Sequence, residues 1–478
     1  MARPVFLSSA LLLALLLTDC SRKQIEESFE QEPPVNIDLE QIKEKGFLQA
    51  IVDNNSVSYF IYRGTPMGFE YELLQSLAKY LKVDLKIRVI SGIEQSIDLL
   101  NRGEGDLIAF PLTITQERTQ YLSFTDAQFN TTQVLVQKRP SNWRRMPAGR
   151  LERMMIRNPV ELIGKEVYVM KESSFKQRLE HLSEEIGGRI IIREDSATAE
   201  TESLIQKVAL GQIQYTVTDQ TFAMVNAIYY PNLDISTVLS LPQQIGWATR
   251  KNSASLLTVI NQWLDETKRS GRFQWIYDKY FNNPRSSQIR MTSDYSSLVG
   301  NRISPFDEDI KREAKNIGWD WRLLASIVYQ ESNFEPAAES WAGAVGLMQL
   351  MPAAAQQFGA VDRKNPQQSL RAGVRILKHF DDLWSKYVRD KQERLKFVLA
   401  SYNAGLSHVI DARNLAKKYG KDPAKWDDVE SFLKQKSNPK YYRDPVAVAG
   451  YCKCEEPVNY VRDILSRYEE YKLLISDV

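Results

Sequence analysis

The sequence predicts a multidomain chain in which an α/β half is followed by a mainly α half. Three observations carry that expectation. At 478 residues the chain exceeds the size at which one hydrophobic core stops growing, so two or three domains are expected. From Gly46 onward, short apolar runs alternate with helical patterns, which implies parallel sheets with crossover connections. Beyond about residue 303 the periodicity is helical throughout.

The N-terminus reads as targeting sequence. Arg3 supplies a minimal positive region, and Val5 to Leu17 is a mostly apolar run of 13 residues. That length is short for a bilayer span and right for a signal peptide, taken as residues 1–20. It ends in Leu17-Thr18-Asp19-Cys20, which resembles a bacterial lipoprotein lipobox, although Asp19 stands where a small residue is usual. Acylation of Cys20 would anchor the chain without a spanning helix, and Ser21 resembles an outer-membrane sorting signal. The expected location is therefore the cell envelope, on the outer membrane facing the periplasm. Residues 21–43, polar and acidic with Pro33-Pro34, read as a tether.

The alternating region opens with a strand at Phe47 to Val52, a helix at Glu70 to Leu81 and a strand at Leu85 to Val89. A helix at Ile93 to Arg102 and a strand at Leu107 to Phe110 follow. Between Val134 and Val238 come strand Glu166 to Met170, helix Phe175 to Leu182 and strand Arg189 to Arg193. Helix Ala199 to Leu210 and strand Gln214 to Thr218 complete that stretch, and Thr258 to Tyr280 closes the unit with helices.

Three fragments within this unit resemble the periplasmic solute-binding domains of the amino-acid class. They are Gly68-Phe69-Glu70-Tyr71-Glu72-Leu73-Leu74, Thr113-Ile114-Thr115-Gln116-Glu117-Arg118 and Leu162-Ile163-Gly164-Lys165-Glu166-Val167. The resemblance implies a two-lobed α/β domain over residues 44–282 that closes on a ligand. One lobe would comprise about 44–134 plus 239–282, the latter returning to pack on its outside; the other would comprise 135–238. It also implies a ligand set of Thr113, Arg118, Ser173 and Asp219 for a small amino-acid-like or muropeptide ligand. Arg118 would hold a carboxylate in its planar donor fork. Asp219, at a strand end, would take an ammonium. Ser173 and Ser174 precede a helix, where the residues themselves favour plain N-capping over anion binding. Residues 283–302, Asn-Pro and then Ser-rich, read as a linker.

The helical half is laid out as Phe306 to Ile317, Trp321 to Glu331, Ala353 to Phe358, Ser369 to Tyr387, Arg394 to Tyr402, Ser407 to Tyr419 and Pro457 to Tyr471. Asp320 is the expected N-cap of the second helix. Leu324, Ile327 and Val328 form its buried stripe, and Glu331 completes the i, i+3, i+4, i+7 set. A carboxylate on an apolar stripe loses solvation, and the helix C-terminus adds partial negative charge; both favour the protonated acid. A neutral carboxylic acid is what a glycosidic oxygen needs in order to leave a sugar ring.

Downstream lie Glu331-Ser332-Asn333-Phe334, Ala342-Gly343-Ala344-Val345-Gly346-Leu347-Met348-Gln349-Leu350-Met351-Pro352, Ala400-Ser401-Tyr402-Asn403-Ala404-Gly405 and Glu456-Pro457-Val458-Asn459-Tyr460-Val461. Together these resemble the soluble-lytic-transglycosylase catalytic domain, a relative of goose-type lysozyme, placed at 303–478. The resemblance implies a lysozyme-like fold and non-hydrolytic cleavage of peptidoglycan glycan strands by Glu331 alone, leaving 1,6-anhydromuramic acid ends. Ser332 and Gln349 would contact sugars or orient Glu331, and Met348 would line the cleft floor. Tyr402 and Asn403 would hydrogen-bond near the acid, and Glu456 and Tyr460 would shape the far wall. Two alternatives stay open: a solute receptor whose second domain only holds glycan, and a hydrolytic muramidase with a second carboxylate. Glu335 and Glu339 read as solvated loop acids.

The remaining composition narrows the field. Net charge is +2, with no basic stripe of interleaved aromatics, which argues against a nucleic-acid partner. His181, His379 and His408 are far apart, and Cys452 and Cys454 are too close for an ordinary disulfide and too sparse for zinc. No metal, no cofactor and no disulfide framework is expected.

Overall fold

The structure, a computed structural model, describes residues 33–477 apart from 91, 172, 196–200, 284–286, 291–292 and 299–300. The signal segment and Cys20 lie outside the described residues.

Strands in the first lobe are β1 (Phe47–Val52), β2 (Phe60–Tyr62), β3 (Thr65–Met67), β4 (Asp84–Val89), β5 (Leu107–Thr113), β6 (Leu122–Phe124) and β7 (Phe129–Thr131). The second lobe holds β8 (Gln133–Lys138), β9 (Glu166–Met170), β10 (Ile191–Asp195), β11 (Tyr215–Asp219) and β12 (Leu233–Val238) before β13 (Gln243–Arg250) returns. The first sheet runs β4-β1-β5-β13-β6, with β7 also on β13; the second runs β10-β9-β11-β8-β12.

Both sheets are mixed, which corrects the parallel expectation. β1 pairs in parallel with β4 and β5, whereas β13 is antiparallel to β5 and β6, and β8 is antiparallel to β11 and β12. The returning segment does not merely pack on the outside of the first lobe. β13 inserts between β5 and β6, and the helices Ala254–Arg269 and Arg272–Phe281 that follow it pack against helix Phe69–Leu81. Ile245, Trp247 and Ala248 of β13 are buried, as a central strand requires.

Two expected connectors are docked. Of the stretch assigned to the tether, the described residues 33–43 instead lead into helix Leu39–Lys45, which Asp38 and Gln41 close with a reciprocal capping box. Asp38 also accepts hydrogen bonds from the Ser255 and Leu256 amides, and the Val35 N–H bonds the Asn101 carbonyl. Within the expected linker, Tyr295 and Ser297 bond the backbone of Arg63 and Ile61, tying it to the β2–β3 hairpin.

The C-terminal half is helical as expected, with helices Asp307–Ile317, Trp321–Ser332, Pro352–Phe358, Pro366–Trp384, Lys391–Ala404, Leu406–Lys418 and Glu455–Leu474. Helix Trp426–Lys434 was not foreseen. One apolar cluster runs continuously from Leu48 and Phe69 in the first lobe to Leu324, Phe397 and Tyr471 in the helical half. The second lobe has cores of its own around Val167 and Val136. The cysteine expectation is also corrected: Cys452 and Cys454 form a disulfide, their Cα atoms 5.2 Å apart, inside the range such bonds span.

Candidate active site and ligand cleft

Helix Trp321–Ser332 starts where the Asp320 carboxylate accepts a 2.9 Å hydrogen bond from the Arg322 amide. It ends at Asn333, whose φ of 49° puts it in the left-handed region and turns the chain away. Leu324, Ile327 and Val328 are fully buried, so the apolar stripe carries Glu331 into the protein. Burial pushes the Glu331 carboxyl up to about 7, while the Tyr460 hydroxyl, donating to Oε1 at 2.5 Å, pulls it back down. Tyr460 is itself buried and sits on helix Glu455–Leu474.

The loop that follows is pinned from several sides. Val345 bridges both Glu339 and Leu350. Gly346 has φ +89°, and a Cβ there would lie 1.9 Å from the Arg363 carbonyl oxygen, so only glycine fits. The Ser332 hydroxyl is buried and shared between the Val328 and Leu347 carbonyls at 3.1 and 3.0 Å. Gln349 Nε2 donates to the Ala338 and Gly346 carbonyls, both at 3.1 Å. Met348 is fully buried against Gly373, beneath the floor rather than on it. Its carbonyl accepts the Tyr402 hydroxyl at 2.8 Å. The Tyr402 phenol is held well above its usual range, first by burial and then by the charge of Glu331.

The structure thus brings Glu331, Ser332, Met348, Tyr402 and Tyr460 together through one hydrogen-bonded loop. Asn403 and Glu456 are exposed, at the end of helix Lys391–Ala404 and in the first turn of helix Glu455–Leu474. Two residues escaped the sequence reading. Arg363 Nη1 donates to the Gly343 and Leu350 carbonyls at 2.7 and 2.9 Å, locking the loop with no local sequence signal. Trp341 is completely exposed between the Glu339 and Val345 bridge partners; a tryptophan beside Ala342-Gly343 was the signal available.

Between the lobes lies a cavity of about 510 Å³, lined by Asn55, Phe110, Thr113 and Arg118 from one side and Ser173 and Asp219 from the other. Arg118 Nη1 donates to the Thr113 carbonyl at 3.1 Å. Burial lowers the Arg118 pKa, opposed by the charges of Glu117 and Asp219. Burial pushes Asp219 up to about 7, and Arg118 draws it down; its buried Oδ1 has no hydrogen-bond partner. The N-capping reading of the serines is corrected. Ser173 sits at the N-cap of helix Ser174–Glu185 without a capping bond; its hydroxyl donates to the Met170 carbonyl at 2.7 Å. Ser174 reaches across to the Thr113 hydroxyl at 3.4 Å.

The first lobe and the helical half meet at polar contacts that sequence periodicity does not reveal. Thr65 and Tyr329 share a 2.9 Å hydroxyl pair, Tyr471 donates to the Gly64 carbonyl at 2.7 Å, and Tyr71 donates to Glu470 at 3.0 Å. Tyr329 precedes Glu331 by two positions, and Tyr471 and Glu470 share a helix with Tyr460.

Comparison with known proteins agrees with this architecture. Residues 35–283 match the family of bacterial extracellular solute-binding proteins, family 3, and residues 308–425 match the transglycosylase SLT domain. The chain is 35% identical to the membrane-bound lytic murein transglycosylase F of Desulfosudis oleivorans over 91% of its own length and 92% of the relative's. It is 31% identical to that of Aliivibrio fischeri, covering 97% of this chain and 89% of the other. Among solved structures, a mutant arginine-binding protein of T. maritima covers 51% of this chain and 99% of its own, at 26% identity and a TM-score of 0.43. The chain belongs to the membrane-bound lytic murein transglycosylase F family, carbon–oxygen lyases of the cell envelope that act on peptidoglycan.

Proposed function

We propose that Glu331 is the single acid and base of a non-hydrolytic cleavage of the β-1,4 bond between N-acetylmuramic acid and N-acetylglucosamine. The observation that carries this reading is a half-buried carboxyl, its pKa raised to about 7 by desolvation, hydrogen-bonded by the Tyr460 hydroxyl. Protonated Glu331 gives its proton to the bridging oxygen as the C1–O bond breaks. The carboxylate so formed accepts the proton of the same sugar's C6 hydroxyl, whose oxygen closes on C1 as a 1,6-anhydro ring. Proximity favours this internal nucleophile over water. Ser332, Met348 and Gln349 hold the loop beside the acid, and Tyr402 and Tyr460 flank it. Asn403 and Glu456, exposed, are free to contact the glycan. Glu335 and Glu339 are both exposed, which supports a one-carboxylate route over a hydrolase. Mass spectrometry of digested cell walls tests the assignment. Anhydro ends that vanish in Glu331→Gln are expected, whereas reducing ends would mean hydrolysis.

The reading extends to regulation and anchoring. A small ligand with a carboxylate and an ammonium is proposed for the cleft, held by Arg118 and by the unpartnered oxygen of Asp219, with Thr113 and Ser173 beside them. Lobe closure would reach the catalytic helices through Tyr329, Glu470 and Tyr471. Cleavage rates that stay equal with and without a saturating amino acid or cell-wall peptide would defeat the coupling. Acylation of Cys20, with outer-membrane placement, is tested by fractionating Cys20→Ser, which should leave the membrane.

A further inference from the structure

Helix Glu455–Leu474 begins at Cys454, which occupies its N-cap position and is fully buried. Cys452 lies two residues earlier, and His408 faces the pair from helix Leu406–Lys418. Ligand atoms of His408, Cys452 and Cys454 all lie within 4.8 Å of one another. The catalytic proposal uses none of the three. In sequence they looked unrelated, because His408 is more than 40 residues from either cysteine; the fold makes them a cluster.

We propose that, once the Cys452–Cys454 bond is reduced, this cluster binds one Cu(I) ion through two thiolates and one imidazole nitrogen. Reduction by a dithiol delivers two electrons and two protons to the S–S bond, and the dithiol leaves as its own disulfide. Metal binding then releases the two thiol protons as the thiolates ligate. Sulfur and imidazole donors are soft and select Cu(I) or Zn(II) over hard cations. The count of donors favours the first of those two. Among the described residues only these three join the group, and they complete a trigonal site for a d10 monovalent ion with nothing added. Zn(II) on three protein ligands must take a water as its fourth, so competition with Zn(II) separates the two.

Charge argues the same way. Two thiolates and Cu(I) sum to one negative charge, placed at a helix N-terminus and near the Lys436 ammonium. Lys436 is fully buried, pairs with Asp411 at 2.5 Å and lies 3.0 Å from His408 Nδ1. Ligation by Nδ1 takes that nitrogen from Lys436, and ligation by Nε2 puts a proton on Nδ1. In either case Lys436 keeps Asp411 as its partner, so no buried charge is stranded. The bound ion would tie helix Leu406–Lys418 to the start of the helix that carries Tyr460.

The test uses the full chain, reduced, freed of reductant without oxygen and titrated with the coloured Cu(I)–bicinchoninate complex. The reduced protein should withdraw one Cu(I) per chain, and the oxidised protein none. Cys452→Ser and Cys454→Ser should each abolish uptake, and His408→Ala should weaken it about tenfold or more. The oxidised-versus-reduced comparison needs no variant and so survives a variant that fails to fold. Absence of uptake by the reduced chain, uptake that persists in the double cysteine variant, or displacement of Cu(I) by equimolar Zn(II) overturns the assignment.

Discussion

Glu331 and Tyr460 form a donor–acceptor pair, and under the proposed mechanism its balance sets the working pH of the site. The general acid must carry its proton, so kcat/KM should fall as pH rises through about 7, where burial has placed the Glu331 pKa. The Tyr460 hydroxyl stabilises the carboxylate form. Its removal in Tyr460→Phe should therefore move the alkaline limb upward by about one pH unit, the equivalent of one hydrogen bond to a charged group. The variant should also turn over more slowly, because the carboxylate needed for the second proton transfer loses its partner. A pH–rate profile with an unmoved limb would remove Tyr460 from this role.

The same burial has a sign in stability. Glu331 has its pKa raised from 4.5 to about 7, so the folded state binds the proton more tightly than the unfolded chain. That contribution is fully present below about 4.5 and is lost as pH rises through about 7, at most about 3 kcal/mol in all. Glu331→Gln removes the penalty of ionising a buried acid. Melting temperatures of variant and wild type should diverge in the variant's favour between pH 5 and pH 9. A gap that stays constant across that range would mean the side chain is solvated in the folded protein.

At the scale of elements, the catalytic helix and its loop differ in how they are specified. The helix is written locally: Asp320 caps it, and the stripe of Leu324, Ile327 and Val328 fixes which face Glu331 joins. That is why the helix and its acid were legible in the sequence to within one residue. The loop is specified from a distance, by Arg363, Ser369 and Tyr402, none of which announces its partner. The insertion of β13 was illegible for the same reason, since Gln243 to Arg250 carries no alternation and its partners lie more than 100 residues upstream. The docking of 35–43 rests on Ile42, fully buried in the shared cluster, with the polar contacts of Asp38 and Val35, and that of the Ser-rich linker on the bonds of Tyr295 and Ser297; composition encodes none of these partners. Two glycines test the account of the loop. In Gly346→Ala the new Cβ would meet a backbone carbonyl at 1.9 Å, so the loop must shift, at about 2–4 kcal/mol and with loss of cleavage. Gly343, at φ +84°, has nothing within 4 Å of an added Cβ, so Gly343→Ala should lose only about 1 kcal/mol and stay active. Thermal melts and cell-wall digestion distinguish the two, and equal effects would refute the pinned geometry.

In the whole molecule, domain boundaries and folding units do not coincide. The first lobe shares one apolar cluster with the helical half, whereas the second lobe builds cores of its own and joins the first through Val225 of helix Gln220–Tyr229 and the chain at 131–133 and 238–243. The shared core is sealed at the tip of the β2–β3 hairpin. There Gly64, at φ +75°, lies so close to the Phe334, Tyr329 and Tyr471 rings that a Cβ would meet them at 2.5 to 2.9 Å. Calorimetry should therefore show two transitions, one for residues 133–238 and one for the first lobe together with the catalytic helices. A ligand held between the lobes should raise the first transition by mass action. Gly64→Val should split the second, because a branched side chain at that turn both strains the left-handed backbone and wedges the Tyr471 hydroxyl off its carbonyl. Wild-type protein in which the catalytic helices already melt apart from the first lobe would show that the common core does not bind the two into one cooperative unit.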